Sequence, residues 1–233
     1  MKRSFDTVSV AARGDGFGVV LDDRALDTPA GTALVLPARA LAAAIAEEWW
    51  ARADDASMRP DSMPLMRLAA TAVDRVAPRR EAVIDEVAGY AESDLLCHRA
   101  EHPAELVARQ RAAWDPLLDW ARERHGVALC VTTGVLPVAQ PDTALAACRA
   151  AVAAGDDFTL AAVHAITAAA GSVIVALALV AGRLDAEAAW QVSQIDESFQ
   201  IARWGADPES TQRRALLATD IAAAERFLTL LRA

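Results

Sequence analysis

Residues 158–182 read FTLAAVHAITAAAGSVIVALALVAG, a run of 25 residues without a formal charge. Length alone satisfies the criterion for a membrane-spanning helix. The content of the run argues against one. Its first half is rich in alanine and carries Thr159, His164 and Thr167, and Gly171-Ser172 interrupts it in the middle. No aromatic belt flanks it, and Asp156, Asp157 and Arg183 give no positive-inside bias. The run therefore reads as one or two buried helices at the centre of a helical domain, and no membrane insertion is expected.

The wider composition agrees. Of 233 residues 54% are hydrophobic, but 56 are alanine, which leaves about 30% of the chain as large apolar side chains. Alanine favours helix and buries little area, so closely packed helices are expected. The net charge is −9. A nucleic-acid-binding surface normally shows a basic excess, so no nucleic-acid partner is expected. Lys2 is the single lysine against 22 arginines. A P-loop, a protein kinase and Schiff-base catalysis all require a lysine placed elsewhere, so these chemistries are excluded and the usual ATP-driven machinery is not expected. Cys97, Cys130 and Cys148 form neither a disulfide framework nor a Cys-x-x-Cys pair. With no apolar leader after Met1, the expected location is the bacterial cytoplasm, or the mitochondrial matrix for a mature organellar form.

Outward from the apolar run, residues 3–36 read as short strands. Phe17, Val19 and Leu21 alternate with Gly18 and Val20, Asp22-Asp23-Arg24 reads as a hairpin turn, and Leu34-Val35-Leu36 as a further strand. Thr28-Pro29-Ala30-Gly31 is a second turn, and Gly14-Asp15-Gly16 a third rather than a dinucleotide fingerprint. Pro37 is expected to open a helix through about Ala53. Residues 54–64 are rich in turn formers and mark a boundary. Beyond it, helices are expected over 64–77, 79–92, 103–124, 142–154, 157–182 with a break near Gly171, 185–204 and 208–232. Residues 127–133 read as a short strand. The fold class is α+β: a small N-terminal α/β domain over residues 1–60, with short antiparallel strands plus a helix, then a larger, mostly helical domain over 61–233.

Catalytic constellations are weak. His98-Arg99-Ala100-Glu101-His102 matches the inverted zincin pattern, but Pro103 follows at once and argues for a polar loop. Cys97 beside His98 does not orient a thiol–imidazole pair. His125 sits at an expected helix end, where a positive charge suits the dipole, and His164 reads as a core histidine. No catalytic residue, metal ligand or cofactor is assigned. The six tryptophans, Trp49, Trp50, Trp114, Trp120, Trp190 and Trp204, are spread along the chain and read mostly as core.

Residues 190–204 are the most informative. At 100° per residue, Trp190, Ser193, Glu197, Ile201 and Trp204 share one face, with Val192, Ile195, Phe199 and Ala202 nearly opposite. A helix apolar on two sides is buried on both or packs one side on a partner. Glu197 among tryptophans reads either as a recognition acid or as the partner of an internal arginine. Asp196, Glu197, Trp190, Ile201 and Trp204 are the candidate binding residues. The rival reading is a soluble enzyme using Glu197 in a tryptophan-lined pocket.

Several blocks carry a resemblance. They include Leu21-Asp22-Asp23-Arg24, Glu47-Glu48-Trp49, Asp94-Leu95-Leu96-Cys97, Trp114-Asp115-Pro116-Leu117-Leu118-Asp119-Trp120, and residues 196–205, which read DESFQIARWG. Together the chain resembles the assembly chaperone for the alpha subunit of the F-type ATP synthase catalytic sector, a mitochondrial and alphaproteobacterial family. The resemblance implies an ATP-independent holder of the unassembled alpha subunit that hydrolyses nothing and has a small N-terminal domain and a larger helical one. It implies a functional acid in the block matched by Asp196-Glu197, carried onto Glu197, and a Glu-Trp motif matched by Trp49. A monomer is expected. Where the family often has tyrosine and glycine, this chain has His98 and Asp23.

Overall fold

The computed structural model describes residues 5–53, 62–134 and 138–233. The turn-rich residues 54–61 and the first four residues lie outside them. The chain divides into two compact units: residues 1–80 with 157–162 and 226–233, and residues 81–156 with 163–225.

The first unit is built on a three-stranded antiparallel sheet in the order β1 (Val8–Arg13), β2 (Gly16–Leu21), β3 (Arg24–Ala25). Strands β1 and β2 pair from Val8 with Leu21 to Arg13 with Gly16, so Gly14-Asp15 is a turn. Leu21 pairs with Arg24, which leaves Asp22-Asp23 as a two-residue hairpin loop. Asp22 takes a positive φ of 52°. Its carboxylate accepts from the N–H groups of Asp6 and Thr7, each at 2.9 Å. Those donors hold the Asp22 carboxyl below its ordinary range.

The strand expected at Leu34–Leu36 is reduced to bridges, Phe17 with Leu36 and Asp27 with Ala33. Leu36 exchanges both backbone bonds with Phe17, and Pro37 follows without an N–H to extend the ladder. The extended path continues through Ala38 (φ −121°, ψ 135°), so helix α1 (Arg39–Trp50) begins two residues beyond Pro37, not at it. It packs on β1 and β2 and buries Leu41, Ala42, Ala44 and Ile45. Helix α2 (Pro64–Thr71) opens on proline and runs through a widened turn, Ala72–Val76, and a tight turn, Ala77–Arg79, that absorbs Pro78.

In the second unit, α3 (Arg80–Gly89, its first residue in the first unit) leads through tight turns to β4 (His98–Arg99). Then come α4 (Ala104–His125), β5 (Thr132–Thr133) and α5 (Asp142–Ala153). The strand read over 127–133 shrinks to β5, which pairs parallel with β4. The Gln140 amide takes both backbone groups of Cys130, at 2.7 and 2.9 Å, and so satisfies them without a ladder.

The uncharged run forms two helices, α6 (Asp157–Ala170) and α7 (Val173–Val180). Gly171 at φ 67° breaks it, and Ser172 caps α7 by accepting from Val175 N at 3.1 Å. Every residue from Val173 to Leu179 is buried. An eight-residue helix rises about 12 Å, far short of a ~30 Å hydrocarbon layer. No helix among the described residues is long and apolar enough to cross a membrane. Ala121, Ala176 and Ala178 are fully buried, so alanine lines the helix contacts of this unit.

The helix expected over 185–204 is two: α8 (Ala186–Ser193) and α9 (Ile195–Trp204). The Val192 carbonyl accepts from the Trp114 indole at 2.9 Å, where a continuous helix would use the N–H of Asp196. The Ser193 hydroxyl takes the Trp190 carbonyl at 2.8 Å. The ladder is cut twice within three residues, and Gln194 leaves the helical region (φ −112°, ψ 18°). Helix α10 (Pro208–Leu231) closes the chain.

Candidate functional site

The break at Gln194 resets the geometry of the candidate residues. Asp196 and Glu197 stand in the first turn of α9, where an acid complements the positive helix end. Asp196 Oδ1 accepts from Gln110 Nε2 at 2.7 Å. Gln110 is buried, and its Oε1 accepts from Ala100 N at 2.9 Å. One glutamine side chain on α4 therefore ties the backbone after β4 to the first turn of α9.

Glu197 reaches α10. Its Oε1 pairs with Arg213 Nη2 at 2.7 Å and accepts from the Ser210 hydroxyl at 3.0 Å. The Arg213 side chain is 65% exposed, so the partner is a surface arginine and not an internal one. Trp190, on α8, is served by a different cation: the Arg214 guanidinium lies 5.2 Å from the indole centroid and donates to Ser198 Oγ at 2.8 Å. The shared face drawn through Trp190 and Glu197 thus does not survive as one helical stripe. Ile201 is half-buried, and Trp204, at the end of α9, is 75% exposed. Leu216 on α10 is 60% exposed. Acids, surface arginines and two large apolar side chains are what α9 and α10 present.

A family model described as ATP12 chaperone protein matches residues 2–122. The crystal structure of Atp12 from Paracoccus denitrificans is 41% identical, covering 99% of this chain and 98% of that one, with a TM-score of 0.91. The chain belongs to the ATP12 chaperone family. An aspartate-to-lysine mutant of Paracoccus denitrificans Atp12p matches at 41% identity over the same shares, with a TM-score of 0.92. An Agrobacterium tumefaciens protein matches at 40% identity over 99% of this chain and 86% of that chain, with a TM-score of 0.92.

Two motifs that carried the ATP12 resemblance have structural roles invisible in the sequence. Glu48, between Glu47 and Trp49, accepts from the N–H groups of Leu65 and Met66, each at 2.9 Å. Helix α2 has Met63 at its cap position and no side-chain cap of its own, so Glu48 supplies one from α1. Burial pushes the Glu48 carboxyl up despite those donors. Asp94 is fully buried and accepts from Leu96 N at 3.0 Å and Ile174 N at 3.3 Å, with Ser172 also donating. Burial raises its carboxyl to about 6. The acid preceding Leu-Leu-Cys holds the start of α7. For Glu48 the available signal was a following helix without a capping side chain of its own; α7 already has Ser172, and nothing local pointed to Asp94.

The titratable groups weighed as catalysts are placed otherwise. His98 lies in β4, so the His-x-x-E-His spacing does not stand on a helix. Burial, then the charge of Asp94, raises the Cys97 thiol to about 12, the wrong direction for a nucleophile. His125 ends α4 and meets the Trp120 ring edge-on at 5.2 Å. Burial and then Arg124 lower its pKa. His164 is not a core residue: it is partly exposed, with Nε2 3.1 Å from Glu86 Oε1. Of the tryptophans only Trp114 is fully buried. Trp49, Trp120 and Trp190 are half-buried, and Trp50 is 46% exposed. Trp49 tilts against Phe5 with ring centroids 6.2 Å apart.

Proposed function

We propose that this chain is an ATP-independent assembly chaperone that binds the unassembled alpha subunit of the F-type ATP synthase catalytic sector and keeps it from aggregating until assembly. The carrying observation is its match to Paracoccus Atp12 at 41% identity over 99% of the chain. The chaperone acts as a monomer and by binding alone, without a catalytic step or a cofactor. Its place of work is the bacterial cytoplasm or the mitochondrial matrix.

The recognition residues in this reading are Asp196, Glu197, Trp190, Ile201 and Trp204. What supports them is the exposure of Trp204 on α9 and Leu216 on α10, the two helices that the pair of Glu197 with the surface Arg213 joins. Exposed apolar side chains rimmed by charge are the anatomy of a protein-binding surface. A polar rim also suits a partner that must leave, because affinity then stays moderate. Covering an apolar client surface lowers the population available for aggregation. The test is co-expression with the alpha subunit of the same organism. Co-purification and a larger soluble fraction of that subunit support the reading; neither complex nor gain in solubility overturns it.

A further inference from the structure

Beside Gln110 lies a hollow of about 410 Å³ lined by Arg99, Ala100, Arg111, Asp115, Thr132 and Thr133. Arg99 is the notable member. Its side chain is only 9% exposed. Its Nε donates to the Leu96 carbonyl at 2.9 Å and its guanidinium lies 5.2 Å from the Trp114 ring centroid. Nη2 is buried and sits 2.8 Å from Asp115 Oδ1, yet out of line for a hydrogen bond. A buried charged donor thus has proximity to an anion without the directed bond that would satisfy it. Arg111, on the same wall, is exposed and forms no ion pair among the described residues. Two arginines against one aspartate leave the lining with a single positive charge. That favours a monoanion over a phosphate, on a chain whose net charge is −9.

The geometry points to this hollow as a carboxylate-binding site, in which Arg99 and Arg111 hold an acidic group that takes the place of the exposed Asp115. Asp115 is the internal stand-in: a carboxylate occupies one edge of the site, imperfectly, from a side chain 54% exposed and free to swing away. Gln110 lines the same hollow and grips Asp196, so an occupied site abuts the first turn of α9. On the chaperone reading proposed above, the acid comes from a side chain or chain end of the client, giving a second anchor beside α9. The chemistry itself does not require that source.

The experiment follows the arginine Nε–H resonances of the full chain by NMR at constant ionic strength. The probes are sodium acetate, a blocked glutamate-containing pentapeptide, and the same peptide with glutamine. The glutamate peptide is expected to shift the Arg99 resonance saturably, and the glutamine peptide to leave it unmoved. Arg111→Gln should weaken binding roughly five-fold, the effect of losing one partly exposed charge contact, and Asp115→Asn should strengthen it by a similar factor. Both are surface positions, so both variants remain testable. Peptide binding tighter than acetate assigns the acid to a protein, and the reverse assigns it to a free carboxylate; either supports the site. Equal response to the glutamate and glutamine peptides, a shift reproduced by sodium chloride alone, or an unchanged affinity in Asp115→Asn overturns it. Binding with failed client capture would leave the site standing and remove the proposed function; capture without binding would do the opposite.

Discussion

Gln110 donates to Asp196 at 2.7 Å while accepting from the backbone N–H of Ala100 at 2.9 Å, and it does so fully buried on α4. The acid at the start of α9 is therefore held in place by a side chain 86 residues away in sequence.

Replacing that amide with an isostere that cannot hydrogen-bond tests the bridge. Gln110→Leu leaves the Ala100 N–H and one Asp196 oxygen without partners in a partly buried setting. The expected loss is about 1–3 kcal/mol of unfolding free energy. Denaturant titration measures it. A change under a few tenths of a kcal/mol would mean that water replaces the glutamine without cost.

Glu197 and Arg213 offer a charge reversal that separates recognition from structure. Glu197→Lys sets two cations against each other at the α9–α10 contact. The exposed pair is worth at most about 1 kcal/mol, so the protein should stay folded while client capture falls. Adding Arg213→Glu restores an ion pair of opposite sense. If Glu197 recognises the client, the double variant regains stability but not capture. Recovery of both would reduce Glu197 to a brace between helices.

The buried acid Asp94 predicts a pH dependence with a definite sign. Its folded pKa of about 6 lies above the ordinary 3.8, so the folded state binds the proton more tightly than the unfolded chain. The stability linked to that proton is fully present below about pH 4 and is lost as pH rises through about 6. Relative to Asp94→Asn, the wild type should gain about 1 kcal/mol on going from about pH 7 to about pH 5. Denaturant melts of both proteins at the two pH values give the difference. A flat or opposite trend would place the raised pKa elsewhere.

Trp49→Arg should destabilise the first unit. Trp49 is half-buried against Phe5, and burying a guanidinium there adds a desolvation cost to lost packing. The expected loss is about 2–3 kcal/mol, below the range for truncating a fully buried tryptophan. An unchanged melting temperature would contradict a packing role.

Much of this architecture was legible from local chemistry. Glycine and proline marked Gly171 and the start of α10, and apolar alternation marked β2. Two misreadings share one cause: a distant side chain competed for a local backbone bond. The Trp114 indole took the Val192 carbonyl and split one expected helix into two. The Gln140 amide took both backbone groups of Cys130 and shortened a strand. Because 100° periodicity presumes an uninterrupted ladder, the face drawn through Trp190 and Glu197 failed at Gln194. The sequence reading set Asp196 and Glu197 inside one long helix, and the break at Gln194 puts them in the first turn of α9 instead. Their partners Gln110 and Arg213 were not found, because nothing local links those positions.

The central claim is that binding alone, without nucleotide, protects the alpha subunit. The most direct measurement is light scattering of purified alpha subunit diluted from denaturant into nucleotide-free buffer, with and without an equimolar amount of this protein. The account predicts that scattering is suppressed without nucleotide and that Glu197→Lys suppresses it less. Undiminished scattering, or suppression that requires added ATP, would contradict the account.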